Sequence, residues 1–243
     1  MPQLCQPSRP TPKVVAAIPC FNTERFIKNV VAIAKKHVDQ VIVINDGSCD
    51  GTAKVARAAG ALVVTHDINR GYGESVKHCF KAAKENSADA LVIFDGDGQH
   101  NPDELPQVLA PLLTGEADLV IGSRFLGGKS NMPLYRKLGN NVIAFLYNFA
   151  GKAKVSDAQS GFRAYNKRVL DAFPITGRGM GLSVEIIIKA RDRGFNIKEV
   201  PISCWYHSDS SRLNPVTHGL SVVLSLVKFR LFSLANKIRG KLL

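Results

Sequence analysis

Two carboxylates stand one residue apart in Asp95-Gly96-Asp97-Gly98-Gln99-His100, directly after the apolar run Ala90–Phe94. On a turn that ends a strand, both can approach one hard cation. Mg2+ takes oxygen ligands, commonly one or two carboxylates together with substrate phosphates. A cation here would bridge a diphosphate and stabilise the charge gathering on a leaving group. An EF-hand loop beginning at Asp95 would need Gly at its sixth place and Glu at its twelfth. Those places hold His100 and Pro106, so that reading fails. His100 suits a structural hydrogen bond better than a magnesium site, because magnesium disfavours imidazole.

The elements around the hexapeptide must turn it toward a ligand. From Lys13 onward short apolar runs alternate with helical patterns, as in repeated βα units. Val14–Ile18, Val41–Ile44, Ala61–Val64, Ala90–Phe94 and Leu119–Ile121 read as strands. Glu24–His37, Thr52–Ala59, Gly73–Glu85 and Asp103–Leu113 read as helices between them. Further on, helices are expected near Leu138–Phe149 and Val184–Arg193, and a strand near Ile197–Cys204. Several strands are rich in Val and Ile with little alternation, as expected when both faces are covered. The expected fold is therefore α/β, a mostly parallel twisted sheet flanked by helices. Ligands of such sheets gather beyond the C-terminal ends of the strands. Those ends read Pro19-Cys20-Phe21-Asn22, Asn45-Asp46-Gly47-Ser48 and Asp95-Gly96-Asp97-Gly98, one polar and acidic rim. A haloacid-dehalogenase-like phosphatase also uses Asp-x-Asp, but on its first strand and with Thr where this chain has Gln99.

The chain's 243 residues suffice for one large domain with a substantial core. Its 32 Lys and Arg against 20 Asp and Glu suit an anionic partner, be it nucleic acid, lipid headgroups or phosphorylated small molecules. Asp209 is the last acidic residue, yet Arg212, Lys228, Arg230, Lys237, Arg239 and Lys241 follow it. The five cysteines are scattered and form no CxxC pair, which favours a reducing setting over a disulfide framework. Residues 1–12 carry four prolines and no apolar leader, and read as a disordered tail. Residues 13–215 read as one catalytic unit and 216–243 as a basic amphipathic helix. A spanning helix needs ~20 apolar residues, whereas Leu220–Ala235 is shorter and interrupted by Lys228 and Arg230. An interfacial helix meeting anionic lipid fits that pattern, as does a helix docked on the protein's own core or on a second subunit.

Taken in order, these segments resemble glycosyltransferase family 2. The matching pieces are Ile18-Pro19-Cys20-Phe21-Asn22-Thr23-Glu24, Val41–Ser48, Asp50-Gly51-Thr52, Asn69-Arg70-Gly71-Tyr72-Gly73 and Asp95–His100. Gly122-Ser123-Arg124 and Ser160-Gly161-Phe162-Arg163 complete them. Each is weak alone, but their order and spacing across roughly 150 residues carry the resemblance. It is nearest to the polyprenyl-phosphate branch typified by dolichyl-phosphate mannose synthase.

The resemblance implies the GT-A fold, with a Rossmann-like nucleotide-binding half. It implies that Pro19, Phe21 and Glu24 line a nucleoside pocket, that Asp46 contacts base or ribose, and that Asp95, Asp97 and Gln99 hold Mg2+ or Mn2+. It places Arg124, Arg136, Arg163 and Arg212 around an acceptor phosphate, with Arg163 alternatively holding the loop of Asp157. Guanidinium groups suit that task through paired N–H donors. Asp157 stands where relatives that act on sugar hydroxyls place a base. A phosphate acceptor, with a second pKa near 6, needs none. Tyr206–Asn214 resembles a mobile acceptor-side loop, although Asp209 departs from its basic pattern.

The expected activity is inverting transfer of a hexose from a GDP- or UDP-sugar to a polyprenyl phosphate, with Asp97, Arg124 and Asp157 at the reaction centre. Transfer to a sugar hydroxyl of a glycan or glycolipid is the alternative. The expected setting is peripheral, on the cytoplasmic face of a membrane. A nucleic-acid partner is disfavoured by the acidic rim and by the lack of an aromatic-rich basic stripe.

Overall fold

The structure, a computed structural model, describes residues 11–127, 129–148, 154–177, 179 and 181–206. Arg212, the loop beyond Tyr206 and the helix expected over 216–243 lie outside the described residues.

Strands β1 (Val14–Cys20), β2 (Gln40–Asn45), β3 (Leu62–Thr65) and β4 (Ala90–Ile93) run parallel, with α1 (Glu24–Ala34), α2 (Thr52–Ala58) and α3 (Tyr72–Glu85) as crossovers. Helix α4 (Leu105–Leu113) leads to β5 (Leu119–Ser123), and α5 (Leu134–Asn148) follows. Then come β6 (Arg163–Asn166), α6 (Lys167–Ala172), α7 (Gly181–Asp192) and β7 (Ile197–Pro201). All seven strands join one sheet in the order β3-β2-β1-β4-β6-β5-β7.

The Val- and Ile-rich strands are covered on both faces, as their composition predicts. Because side chains alternate along a strand, each strand feeds two cores. Val15, Ala17, Ile42, Ile44, Leu91 and Ile93 pack in one layer with side chains of α3, α5 and α7. Ala16, Ile18, Val41, Val43 and Val92 pack in the other with α1 and α4.

The helices and strands expected from the sequence are present, with shifts at their ends. Helix α1 stops at Ala34 because Lys36 and His37 donate to the carbonyls three residues back, which tightens the last turn. Helix α4 is preceded by a 3-10 turn over Pro102–Glu104, capped by the Asn101 side chain on the Asp103 N–H. Strand β7 ends at Pro201, and Cys204 makes only single bridges to His100 and Ser130.

Strand β6 departs most from the expectation, as does the short α6 after it. It lies antiparallel between β4 and β5, with Arg163 opposite both Ile93 and Ile121. Reversal brings its N-terminal end to the rim where β4 and β5 finish. Gly161, Asp95 and Arg124 therefore meet at one edge although they are far apart in sequence.

Candidate active site

The turn after β4 is compact because its glycines permit close packing. A Cβ on Gly96 would lie 2.4 Å from the Cys20 sulfur, and one on Gly98 would lie 2.8 Å from the Phe26 ring. Gly98 also has φ +75°, a conformation that favours glycine. Opposite the turn, a Cβ on Gly161 would stand 2.6 Å from Asp95 Oδ2. Glycine at that place leaves room for the carboxylate.

Asp95 and Asp97 are both partly exposed on this turn. Burial, followed by the like charge of Asp97, pushes the Asp95 carboxyl up to about 7, against a counteracting pull from Arg124. Such repulsion is what a divalent cation relieves, and the donors are the oxygens that Mg2+ or Mn2+ takes. Among the described residues no three His, Cys, Asp or Glu side chains converge on one point. Two carboxylates leaving the other positions to phosphate and water is a common magnesium arrangement. The donor set therefore fits a divalent cation. Gln99 donates its backbone N–H (3.0 Å) and its side-chain amide to Asp97, so it steadies that carboxylate. His100 is buried against Phe162, and burial with the charge of Arg124 lowers it to about 3. It is a neutral imidazole, in keeping with a structural role.

Across the cleft, Arg124 and Asp157 form a closed pair. Arg124 Nε donates to Asp157 Oδ2 and its terminal nitrogen to Oδ1, each at 2.7 Å, and the Arg124 backbone N–H adds 3.1 Å. Asp157 is fully buried. Burial pushes its carboxyl upward, but the Arg124 charge and hydrogen bonds outweigh that and hold it below the usual carboxylate range. Both carboxylate oxygens of Asp157 are thus occupied by donors of Arg124. The other terminal nitrogen of Arg124 donates to the Tyr206 hydroxyl at 2.8 Å. Arg136, on α5, lies over the face of the same Tyr206 ring with its guanidinium carbon 5.2 Å from the centroid. Arg124, Tyr206 and Arg136 are thus one contiguous group.

Two residues read as ligand contacts serve the scaffold instead. Arg163 is buried, and its three guanidinium nitrogens donate to the carbonyls of Ser160 (2.8 Å), Ser183 (2.7 Å) and Ala158 (2.7 Å). It clamps the loop after Asp157, the alternative role, and is withdrawn from the phosphate group of arginines. Asp46 is buried and accepts the N–H groups of Arg70 and Gly71, each at 2.8 Å, and a 2.7 Å hydrogen bond with His66 Nδ1. Its carboxylate shapes the Asn69–Gly71 loop rather than facing a nucleoside, because these partners turn both oxygens inward.

The remaining residues expected on the donor side follow the C-terminal half of β1. Pro19 ends β1 beside Ile44, and Phe21 stands exposed beyond it. Glu24 accepts the Gly51 N–H at 2.8 Å while its own N–H donates to Asp50 at 3.1 Å, and Asn22 accepts the Cys49 N–H at 2.9 Å. These reciprocal bonds lace the loop after β1 to the loop after β2.

Sequence reasoning missed Glu199. From β7 it accepts the Ser156 N–H (2.7 Å), the Ser156 hydroxyl (3.0 Å) and the Asp157 N–H (2.9 Å). The available signal was an acidic residue inside the strand expected near Ile197–Cys204.

A family model described as Glycosyl transferase family 2 matches residues 15–173, most of the chain just described. The chain belongs to glycosyltransferase family 2. Its curated relatives include the UDP-N-acetylglucosamine–dolichyl-phosphate N-acetylglucosaminyltransferase of Methanococcus voltae, 32% identical over 88% of this chain and 94% of that protein. The dolichyl-phosphate hexose transferase of Haloferax volcanii is 33% identical over 86% of this chain and 90% of its own length. Among solved structures, the glucosyl-3-phosphoglycerate synthase of M. tuberculosis aligns with a TM-score of 0.71 and 26% identity, covering 90% of this chain and 80% of that one. The sheet and its flanking helices are those of the GT-A fold. This family-2 chain thereby belongs with relatives of the polyprenyl-phosphate branch.

Proposed function

We propose that this family-2 glycosyltransferase moves a hexose from a GDP- or UDP-sugar to a polyprenyl phosphate with inversion, at the cytoplasmic face of a membrane. The observation that carries the reading is the closure of Asp157 by Arg124. A hydroxyl acceptor needs a base in reach, and the carboxylate at this position is occupied. A phosphate, with its second pKa near 6, arrives already ionised. The likeness to two dolichyl-phosphate transferases, over most of each chain, supports the same acceptor class.

In this reading one phosphate oxygen attacks the anomeric carbon as the bond to the nucleoside diphosphate breaks. The leaving group departs with the bonding electron pair, and no proton has to move. When bound at Asp95 and Asp97, a divalent cation supplies charge that offsets the diphosphate. Gln99 orients the Asp97 carboxylate. Asp157 and Glu199 fix Arg124 in the orientation from which its remaining N–H groups and positive field meet the acceptor phosphate. Arg136 adds a second cation on the same side. Phe21 and Glu24 meet the nucleoside, and Asp46 sets the loop beneath it. Catalysis by such positioning and fixed charge is the expected mode where no covalent intermediate is required.

The test pairs a thermal-shift screen of nucleotide sugars, with Mg2+ or Mn2+, with mass-spectrometric detection of product. Selective ligands raise the melting temperature. Transfer to a prenyl phosphate and none to the matching prenol is expected. Efficient transfer to a free sugar hydroxyl, with none to prenyl phosphate, would overturn the reading.

A further inference from the structure

Two histidines extend Asp46 into a chain of hydrogen bonds that crosses from β2 to α3. His66, the residue after β3, is buried, and its Nδ1 lies 2.7 Å from Asp46 Oδ1. Its Nε2 lies 3.0 Å from Nδ1 of the half-buried His78 on α3, and the two ring centroids are 4.5 Å apart. His78 Nδ1 is also 3.1 Å from the Glu74 carbonyl, one turn back on the same helix.

The network assigns the protons. The Asp46 carboxylate accepts, so His66 Nδ1 carries a hydrogen. The Glu74 carbonyl can only accept, so His78 Nδ1 carries another and shares it with the lone pair on His66 Nε2. A neutral imidazole offers one donor and one acceptor on a rigid ring, and His66 uses both.

What this chain of bonds holds is a stack of loops. Asp46 also accepts the N–H groups of Arg70 and Gly71, and Gly71 is the N-cap of α3. The His66 N–H donates to the Asn45 carbonyl at 2.9 Å. Just beyond, the backbone lies directly on the turn after β2, where a Cβ on Gly47 would stand 2.5 Å from the Ile68 carbonyl carbon. The loop after β2 is itself laced to the loop after β1 through Asn22 and Glu24. Residues Asp67, Ile68, Asn69 and Arg70 are all exposed, so burial does little to fix this segment and its bonds to Asp46 do more.

We infer that His66 is a positioning residue for the nucleotide sugar. It fixes Asp46, and through Asp46 the Arg70–Gly71 backbone on the donor side, while His78 sets the His66 ring. The inference rests on the proposed donor class, and His66 acts through Asp46 instead of on the substrate.

The experiment compares three substitutions at this one position in the full chain. His66→Phe keeps a ring and removes both nitrogens. His66→Asn keeps a donor bonded to Cγ, as Nδ1 is, and can still meet Asp46. His66→Gln sets its amide one atom further out, at the place of Nε2. Calorimetry reads the Kd for UDP or GDP with Mg2+, whichever binds the wild type, and NMR reads hydrogen exchange at the Arg70 and Gly71 amides. His66→Phe should weaken nucleotide binding at least about tenfold, the loss of one hydrogen bond to a charged group, and quicken exchange at both amides. His66→Asn should recover most of the affinity and His66→Gln little of it. Unchanged affinity in all three, with only a lower melting temperature, would overturn the inference, as would better rescue by Gln than by Asn. Should His66→Phe fail to fold, the order of Asn and Gln decides. A wild type that binds neither nucleotide would sink the donor reading, and exchange faster in His66→Gln than in His66→Asn would still leave the loop anchor standing.

Discussion

Asp157 receives Arg124 side-on, with two side-chain hydrogen bonds of equal length and a third from the arginine's own backbone. Severing a buried pair of this kind costs about 3–5 kcal/mol, because the remaining charge is left uncompensated. Asp157→Asn should therefore lower kcat on the order of 100-fold while the KM for nucleotide sugar changes little. Steady-state kinetics on both substrates check this. A variant as fast as wild type would mean that Arg124 needs no such anchor.

The pair also predicts how the fold meets acid. Asp157 titrates below the usual carboxylate range when folded, and so does Glu185, a buried carboxylate that accepts Thr176, Gly177 and Lys189. A lowered folded pKa means that the unfolded chain binds the proton first. The stabilisation is complete above about pH 5, beyond the unfolded value, and is lost as pH falls through the folded one. Melting temperatures between pH 6 and pH 2 should drop most steeply below about pH 4. Asp157→Asn should start lower and fall less.

At the cation site, Asp97→Ala should abolish transfer and leave the fold intact, and EDTA should silence the wild type. Gly161→Ala is a finer probe, since its Cβ would press on Asp95 Oδ2. It should raise the Mg2+ concentration for half-maximal rate about tenfold, with the melting temperature changed by only a few degrees. Unchanged Mg2+ dependence would mean that Asp95 shifts away without consequence.

Glu199 acts at one remove from the chemistry. Glu199→Gln keeps one acceptor oxygen but turns an NH2 toward groups that are themselves donors. The expected effect is a fall of about tenfold in kcat, roughly 1.4 kcal/mol, with unaltered binding of nucleotide sugar. Calorimetric titration of the donor analogue beside turnover separates the two. Weakened donor binding would show that Glu199 supports the whole cleft.

Much of this was legible beforehand where residue type dictates environment. Runs such as Val41–Ile44 and Leu119–Ile121 can only be buried strands, and Asp95-Gly96-Asp97 on a strand end has few uses. Strand β6 was not legible because Arg163-Ala164-Tyr165-Asn166 holds just two apolar residues. It is a strand because β4 and β5 offer it ladders on both sides. Asp46 and Arg163 were read toward ligands because sequence gives the charge of a side chain but not its direction. Apart from the His66 ring beside Asp46, their partners are backbone groups, which no motif advertises. Glu199 was missed for the same reason.

The placement of Glu199 on the last strand has a consequence for how the enzyme is made. Chains emerge from the ribosome N-terminus first, and segments organise as they appear. The loops laced together by Asn22, Glu24 and Asp50 and the turn of Asp95 and Asp97 are all synthesised by residue 100. The anchors of Arg124 come much later, at Asp157, Glu199 and Tyr206. The donor-side loops are thus complete in the chain long before the Arg124 cluster, whose last partner arrives only after β7.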